Sequence, residues 1–116
     1  LDPQQIEHCL RVNCLYPTLL TRRLLTLMQR QHGHAKAIIN VASVAGLTVN
    51  PFSSVYSGSK AYNRSFSLAL SAELVNEGFE VLCVSPGFVA SAMTRMQVSP
   101  LVCSAAECAR NSLARL

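Results

Sequence analysis

Two short apolar runs constrain the fold of this sequence more than any other feature. Residues 37–42 (Ala-Ile-Ile-Asn-Val-Ala) and residues 80–85 (Glu-Val-Leu-Cys-Val-Ser) are each followed by a loop signal, polar and glycine-bearing in one case and Pro-Gly in the other. Neither run alternates regularly between polar and apolar residues, which is typical of parallel strands covered on both faces. We therefore predict two buried strands at these positions.

The sequence before the first predicted strand has the pattern of a long helix. Asp2 is a typical capping residue, Pro3 suits the first helical turn, and Gln5 follows three positions after the cap. Apolar residues then recur at steps of three and four. We expect this helix to be kinked or interrupted at Pro17 and to end just before residues 32–34.

A second helix is predicted between the two strands, from about residue 54 to residue 77, and Gly78 is expected to end it. Apolar residues cover more than half of its helical wheel, which indicates packing on more than one side. Ser104 and Glu107 have the pattern of a capping box that opens a third helix. The polar residues of the second helix share the remaining arc: Tyr56, Lys60, Asn63 and Ser67.

The order helix, strand, helix, strand, helix predicts an α/β fold with a parallel sheet. Half of the residues are apolar and only 14% are charged, so the chain is expected to bury a core as at most one domain. Two strands do not complete a sheet of this kind, and their outer edges need partners.

Composition argues against several classes of function. The net charge of +4 comes mostly from eight arginines in runs no longer than two, which does not indicate nucleic-acid binding. The five cysteines lack C-x-x-C spacing, so neither a metal site nor a disulfide framework is predicted, and a reducing, cytosol-like compartment fits best. No stretch approaches the ~20 apolar residues that span a bilayer, and none has the pattern of a signal peptide.

Residues with acid–base chemistry are predicted to meet at one edge of the sheet. Tyr56 and Lys60 are four positions apart, so in a helix they share a face, and the ammonium would stabilise the phenolate. Ser43 follows the first strand, and Pro86-Gly87 follows the second. Because the carboxyl ends of parallel strands meet at the same edge, these groups should converge on one crevice.

The same residues resemble the motifs of the short-chain dehydrogenases/reductases. The matching stretches are Val-Asn at 12–13, Asn-Val-Ala-Ser-Val-Ala-Gly at 40–46, Tyr-Ser-Gly-Ser-Lys at 56–60 and Pro-Gly-Phe-Val-Ala-Ser at 86–91. Their order and spacing match the family over nearly the whole chain. The resemblance implies a Rossmann-like, doubly wound parallel sheet, of which residues 1–116 would be the C-terminal catalytic half.

The resemblance also implies roles for the matched polar residues. Tyr56 would be the acid that protonates a carbonyl oxygen, and Lys60 would assist it and hold the nicotinamide ribose. Ser43 would donate a hydrogen bond to the substrate oxygen. Asn13 would help to position a water that relays protons through Lys60.

For the cofactor, the resemblance implies NADP(H) more than NAD(H). Ser91 stands where the family usually has Thr, so the hydroxyl is retained. Simpler roles stay open, since Ser43 could cap a turn, Asn13 could be an ordinary helical amide and Pro86-Gly87 could be a plain turn. The residues that would line the nicotinamide are Pro86, Gly87, Val89 and Ser91.

Two longer stretches, residues 12–25 and 88–94, resemble one branch of the family more specifically. That branch contains the very-long-chain 3-ketoacyl-CoA reductases and the 17-beta-hydroxysteroid dehydrogenases. It implies an oxidoreductase of lipid metabolism that reduces the keto group of a long acyl-CoA, as in fatty acid elongation, or of a steroid-like substrate.

The glycine-rich cofactor-binding turn of the family has no counterpart in these residues. The resemblance therefore implies a nucleotide-binding half before Leu1, and a fragment that is inactive alone. A second hypothesis is a catalytically silent fragment or an interaction module, which the apolar faces of both long helices favour. In the family these helices pair with their copies, so a homodimer or higher oligomer is expected. Association with the endoplasmic reticulum would come from regions outside this sequence.

Overall fold

The structure, a computed structural model, describes residues 2–31, 33 and 35–116. His32 and His34, which were predicted to end the first helix, lie outside the described residues. The helices are α1 (Pro3–Leu10), α2 (Tyr16–Gln29), α3 (Ser54–Leu74) and α4 (Ala105–Leu113). The strands are β1 (Lys36–Val41), β2 (Phe79–Val84), β3 (Phe88–Ala90) and β4 (Val102–Ser104).

Helix α1 begins at the predicted capping residue. The Asp2 carboxylate accepts a hydrogen bond from the backbone N–H of Gln5 at 2.9 Å, and the Gln5 side chain accepts one from the Asp2 N–H at 3.2 Å. These bonds satisfy N–H groups that the start of a helix otherwise leaves without partners. The predicted helix start is confirmed.

A π-helical segment, Arg11–Leu15, connects α1 to α2. The predicted interruption is therefore present, but it lies before Pro17 rather than at it. Proline has no N–H to donate, and its ring crowds the carbonyl four residues earlier, here that of Asn13. The wider turn of a π-helix accommodates this missing bond, so the long helix changes geometry without ending.

Strands β1 and β2 form the predicted parallel pair. Their register runs from Lys36 opposite Phe79 to Val41 opposite Val84, so each strand lies one residue earlier than predicted. The N–H of Ala42 donates to the Val84 carbonyl at 2.8 Å and extends the ladder beyond β1. A parallel pair of consecutive strands requires a crossover, and α3 provides it.

Among the described residues, β1 is covered on one face, and its coverage on the other stays a prediction. Ala37, Ile39 and Val41 are exposed, whereas Ile38 packs into the core. The sheet therefore buries one face against α2 and α3, while alternate residues of β1 stay open. The core consists of Leu70, Leu74 and Phe79, with Leu25, Met28, Ile38, Phe66 and Val81 packed against it.

Helix α3 buries the polar arc of its helical wheel, contrary to a simple hydrophobic pattern. Ser59, Asn63 and Ser67 are 1%, 6% and 1% exposed, whereas Tyr62 and Leu68 are 40% and 51% exposed. The Ser67 hydroxyl donates to the Asn63 carbonyl of its own helix at 2.6 Å, so its burial leaves no unsatisfied donor. In the single chain, Tyr62 and Leu68 of the apolar arc are exposed, so its packing on a second side stays a prediction.

The end of α3 follows the sequence prediction. A 3₁₀ turn, Val75–Glu77, continues the helix, and Gly78 ends it with a φ of 73°. This left-handed conformation is one that glycine adopts without steric cost. No helix of the described chain combines the length and apolar character needed to cross a membrane.

A second parallel pair, β3 with β4, is not predicted by the sequence. Phe88 lies opposite Val102, and Ala90 lies opposite Ser104. Strands of three residues are too short to give a periodic signal. The Ser104 hydroxyl accepts a hydrogen bond from the N–H of Glu107 at 3.1 Å, which confirms the predicted start of α4.

Candidate active site

The loops that follow β1 and β2 are joined at the carboxyl edge of the sheet. The N–H of Val44 donates to the carbonyl of Pro86 at 3.1 Å. This bond lies next to Ser43 on one side and next to Gly87 on the other. The two loop segments that the sequence assigned to one crevice are therefore neighbours, because both strands end at the same edge.

Tyr56 and Lys60 share one face of α3. The ammonium nitrogen of Lys60 lies 5.8 Å from the centroid of the Tyr56 ring and donates to the carbonyl of Val41 at 3.0 Å. An ammonium has three N–H donors, so two remain for a ligand. Tyr56 is 40% exposed, and among the described residues none is hydrogen-bonded to its hydroxyl.

Burial lowers the pKa of Lys60, and the nearby thiols of Cys14 and Cys9 oppose this effect. A half-buried ammonium loses part of its hydration, which favours the neutral amine. The site therefore contains a cation that is easier to deprotonate than a free lysine. Such a group suits proton transfer better than a fully hydrated lysine does.

Ser43 caps a short 3₁₀ turn, Val44–Gly46, which directly follows it. Its hydroxyl oxygen accepts a hydrogen bond from the N–H of Ala45 at 3.2 Å. The structural role left open for Ser43 is therefore real. An accepted bond uses an oxygen lone pair, so the O–H can still donate to another oxygen.

Gly46 holds this turn against α3, and sequence reasoning did not assign it a role. A Cβ at this position would lie 2.6 Å from the nitrogen of Ala61 and 2.7 Å from the carbonyl carbon of Lys60. Only a residue without a Cβ permits this approach. The one available signal was a glycine three positions after Ser43 in a loop.

Asn13 lies in the π-helical segment and connects it to α3. Its side-chain amide donates to the hydroxyl of Ser59 at 3.0 Å and contacts the sulfur of Cys9 at 3.5 Å. The Ser59 hydroxyl in turn donates to the carbonyl of Tyr56 at 2.7 Å. Asn13 thus supports the backbone that carries Tyr56, and the buried Ser59 is a contributor that the sequence analysis missed.

Asn13 and Lys60 also line one cavity of about 750 Å³ between α2, α3 and β1. The predicted water between them would lie in this space, and no direct bond joins the two side chains. The lining is mostly apolar, and Asn13 and Lys60 are among its few polar side chains. The proton-relay role of Asn13 stays a prediction.

The segment from Pro86 to Ser91 divides into an open part and a bonded part. A Cβ on Gly87 would meet nothing within 4 Å, so the backbone of this turn is accessible. The Thr94 hydroxyl donates to the carbonyl of Val89 at 2.7 Å. The Ser91 hydroxyl oxygen lies 3.3 Å from the Thr94 hydroxyl oxygen. Thr94 therefore holds the Ser91 turn, a role that the sequence analysis did not assign.

No cluster of three potential metal ligands is present among residues 2–31, 33 and 35–116. The candidate site itself contains a phenol, an ammonium and a hydroxyl beside an open backbone turn. Together these groups can donate hydrogen bonds to a substrate oxygen and move a proton to it.

Comparison with known proteins identifies the family. The model of the short chain dehydrogenase family matches residues 1–100. The chain is 44% identical over 86 residues to Nodulation protein G of Rhizobium sp. (strain N33), covering 73% of this chain and 34% of that protein. It is 35% identical over 103 residues to the very-long-chain 3-oxoacyl-CoA reductase of Neurospora crassa, covering 87% of this chain and 30% of that protein. The chain thus spans about a third of the length of these curated relatives.

Solved structures have the same fold. A short chain dehydrogenase from Burkholderia cenocepacia in complex with NADP superposes with a TM-score of 0.83 at 27% identity, over 98% of this chain and 46% of that one. A 4-hydroxyisoleucine dehydrogenase complexed with NADH gives 0.72 at 23% identity, over 81% and 41%. Both contain a Rossmann-like sheet, to which β1, β2 and their flanking helices correspond. The chain belongs to the short-chain dehydrogenase family of oxidoreductases.

Proposed function

We propose that this chain is the catalytic half of an NAD(P)(H)-dependent carbonyl reductase that acts on 3-ketoacyl-CoA or steroid-like keto substrates in lipid metabolism. The observation that carries the proposal is the placement of Tyr56 and Lys60 on one face of α3, with Lys60 bonded to the end of β1 at 3.0 Å. Relatives named very-long-chain 3-oxoacyl-CoA reductases support the acyl-CoA substrate.

In this proposal each polar group of the site acts on the carbonyl oxygen of the substrate. The exposed Tyr56 hydroxyl donates its proton to that oxygen as it becomes an alkoxide, and takes it back in the reverse reaction. The Ser43 O–H donates a second hydrogen bond, which stabilises the developing negative charge. Lys60 supplies positive charge beside the phenol, and Asn13 positions the helix backbone beneath it.

The accessible groups of the site fit a nicotinamide cofactor, which supplies the hydride when it is bound. Lys60 has two unused N–H donors for the ribose hydroxyls, and the open turn at Gly87 admits a flat ring. The Ser91 hydroxyl and the Val89 carbonyl are both occupied by the Thr94 hydroxyl. To contact the cofactor, each would have to leave Thr94 or bind the cofactor and Thr94 at once. We favour NADP(H), since the solved relative with 27% identity holds NADP, while a more distant one holds NADH.

The alternative is a catalytically silent fragment or an interaction module. The exposed apolar residues of α1 and α3 favour self-association, and they are compatible with both hypotheses. We propose a homodimer or higher oligomer formed through a groove between these helices, lined by Ile6, Leu10, Leu15, Val55 and Tyr62. Self-association without turnover in the full natural chain would favour the module.

The proposed compartment is reducing and cytosol-facing. Five free thiols (Cys9, Cys14, Cys83, Cys103 and Cys108) support it, because such thiols persist where disulfides are kept reduced. Association with the endoplasmic reticulum through other regions is part of the same proposal.

Substitution of Tyr56 by Phe in the full natural chain tests the enzymatic proposal. With NADPH and a long-chain 3-ketoacyl-CoA, turnover should fall by about 10²–10⁴-fold, because the acid is lost. Tyr62→Phe is the matched control on the same helix, since the Tyr62 hydroxyl bonds Thr18 at 2.7 Å instead. Near-normal turnover of Tyr56→Phe would reject the assignment, and parallel assays with NADH and with a ketosteroid would settle cofactor and substrate choice.

A further inference from the structure

Two cysteines take the positions of a hydrophobic staple at the start of α4. Ser104 caps this helix through its bond to the N–H of Glu107. Cys103 directly precedes the cap, and Cys108 is the fourth residue of the helix. Side chains at these two positions pack against each other in many helices, usually as a pair of apolar residues. Here the capping geometry brings two thiols together.

The contacts of Cys103 agree with this geometry. Its thiol donates to the carbonyl of Phe88 at 3.7 Å. Burial raises the pKa of Cys103, and the nearby side chains of Cys108 and Glu107 raise it further. Both cysteines are half-buried, and both line a cavity of about 460 Å³. They therefore face one shared cavity, which a small reagent can enter.

We propose that Cys103 and Cys108 form a dithiol site that closes to an intrachain disulfide when a hydroperoxide oxidises it. The thiolate of one cysteine attacks a peroxide oxygen, which gives a sulfenic acid and releases water or an alcohol. The second thiol then attacks the sulfenic sulfur, the S–S bond forms, and the hydroxyl leaves as water. Two electrons pass from the sulfurs to the peroxide, and thiol reductants reverse the change.

The position of the dithiol connects it to the candidate active site. Cys103 lies opposite Val89 in the β3–β4 pair, and its thiol is bonded to Phe88. Pro86 and Gly87 line the same cavity as the two sulfurs. Closing the disulfide therefore replaces the Cys103–Phe88 hydrogen bond and constrains the backbone beside the turn at the carboxyl end of β2.

A second cysteine pair in the chain has the same sequence spacing but different surroundings. Cys9 and Cys14 flank the π-helical segment, also five positions apart. The Cys9 sulfur accepts from Asn13, and the Cys14 thiol faces the carbonyl of Ser59 at 3.9 Å. Spacing alone would make the two pairs equivalent, whereas the staple geometry selects Cys103 and Cys108.

Limited oxidation of the full natural chain with hydrogen peroxide, followed by alkylation and tryptic mass mapping, tests the proposal. Trypsin cleaves after Arg95 and Arg110, so both thiols fall on one peptide, residues 96–110. At about pH 9, where more thiolate is present, this peptide should lose two hydrogens and both alkylation sites together. Reduction should restore both sites.

Three variants provide the controls. Cys108→Ser and Cys103→Ser should each abolish the internally linked peptide, and Cys83→Ser, which removes a third thiol lining the same cavity, should leave it unchanged. Peroxide treatment that leaves both thiols open to alkylation, or linkage of Cys83 to either thiol in the unmodified chain, would overturn the proposal. None of these readouts depends on reductase activity, so they are independent of the proposed function.

Discussion

The ammonium of Lys60 is hydrogen-bonded to the carbonyl of Val41, the last residue of β1, at a distance of 3.0 Å. This bond connects α3 to the sheet two residues before Ser43. Lys60, which is expected to assist Tyr56, thus also fixes α3 beside the loop that carries Ser43. One side chain therefore serves both the assembly and the chemistry of the site.

The lowered pKa of Lys60 predicts a specific dependence of stability on pH. Between the lowered pKa of the folded state and the ordinary lysine value near ~10.4, the unfolded chain binds more protons, so the free energy of unfolding rises with pH. Lys60→Met removes this contribution. In urea unfolding between neutral pH and about pH 10, the wild type should gain stability relative to the variant as pH rises. A pH-independent difference would contradict the prediction.

Gly46→Ala should destabilise the fold and displace the Ser43 turn. The added Cβ would approach the backbone of Lys60 and Ala61 to less than 3 Å, and backbone atoms cannot move aside as a side chain does. Overpacking of this kind costs about 1–3 kcal/mol. Thermal or urea unfolding of the purified variant measures this loss.

Gly58→Ala is the matched control, because Gly58 lies within α3 and a Cβ there meets nothing within 4 Å. Alanine at this site should stabilise the helix by about 0.5–1 kcal/mol. If Gly46→Ala and Gly58→Ala changed the free energy of unfolding equally, the close contact between Gly46 and α3 would not explain why glycine is needed at position 46.

Ser59→Ala should cost more stability than Ser67→Ala, although both serines are almost fully buried. Removing the Ser59 hydroxyl leaves the half-buried amide of Asn13 without its 3.0 Å partner, which should cost about 1–2 kcal/mol. The Ser67 hydroxyl bonds only its own helix, so its loss should cost about 1 kcal/mol or less. A double-mutant cycle of Ser59 and Asn13 should give a coupling of at least about 0.5 kcal/mol, and additivity would refute the link.

A charge in the groove between α1 and α3 should separate the proposed oligomer. Leu15→Glu places a carboxylate among apolar side chains at a position that is already exposed in the single chain, so the fold should survive. Sedimentation of the full natural chain should then give a monomer. Leu113→Glu, on α4 and outside the groove, is the control and should not change the mass. A wild type that sediments as a monomer would exclude the oligomer.

The order of helices and strands follows from local rules, which is why it could be predicted from the sequence. The Asp2 cap, the Gly78 terminator and the Ser104 cap each depend on residues that are neighbours along the chain. The parallel pairing of β1 with β2 also follows, because a helix between two strands allows little else. Tyr56 and Lys60 share a face for the same local reason.

What the sequence determined by itself is therefore the order of the helices with β1 and β2, the caps and the set of polar groups near the carboxyl ends of those two strands. The tertiary structure alone decided which face of α3 is buried and where the Ser43 turn rests. Burial of Ser59 and Ser67 depends on how closely distant segments approach, and the requirement for Gly46 depends on a helix fifteen residues away. Contacts between segments far apart in the chain leave no periodic signal along it.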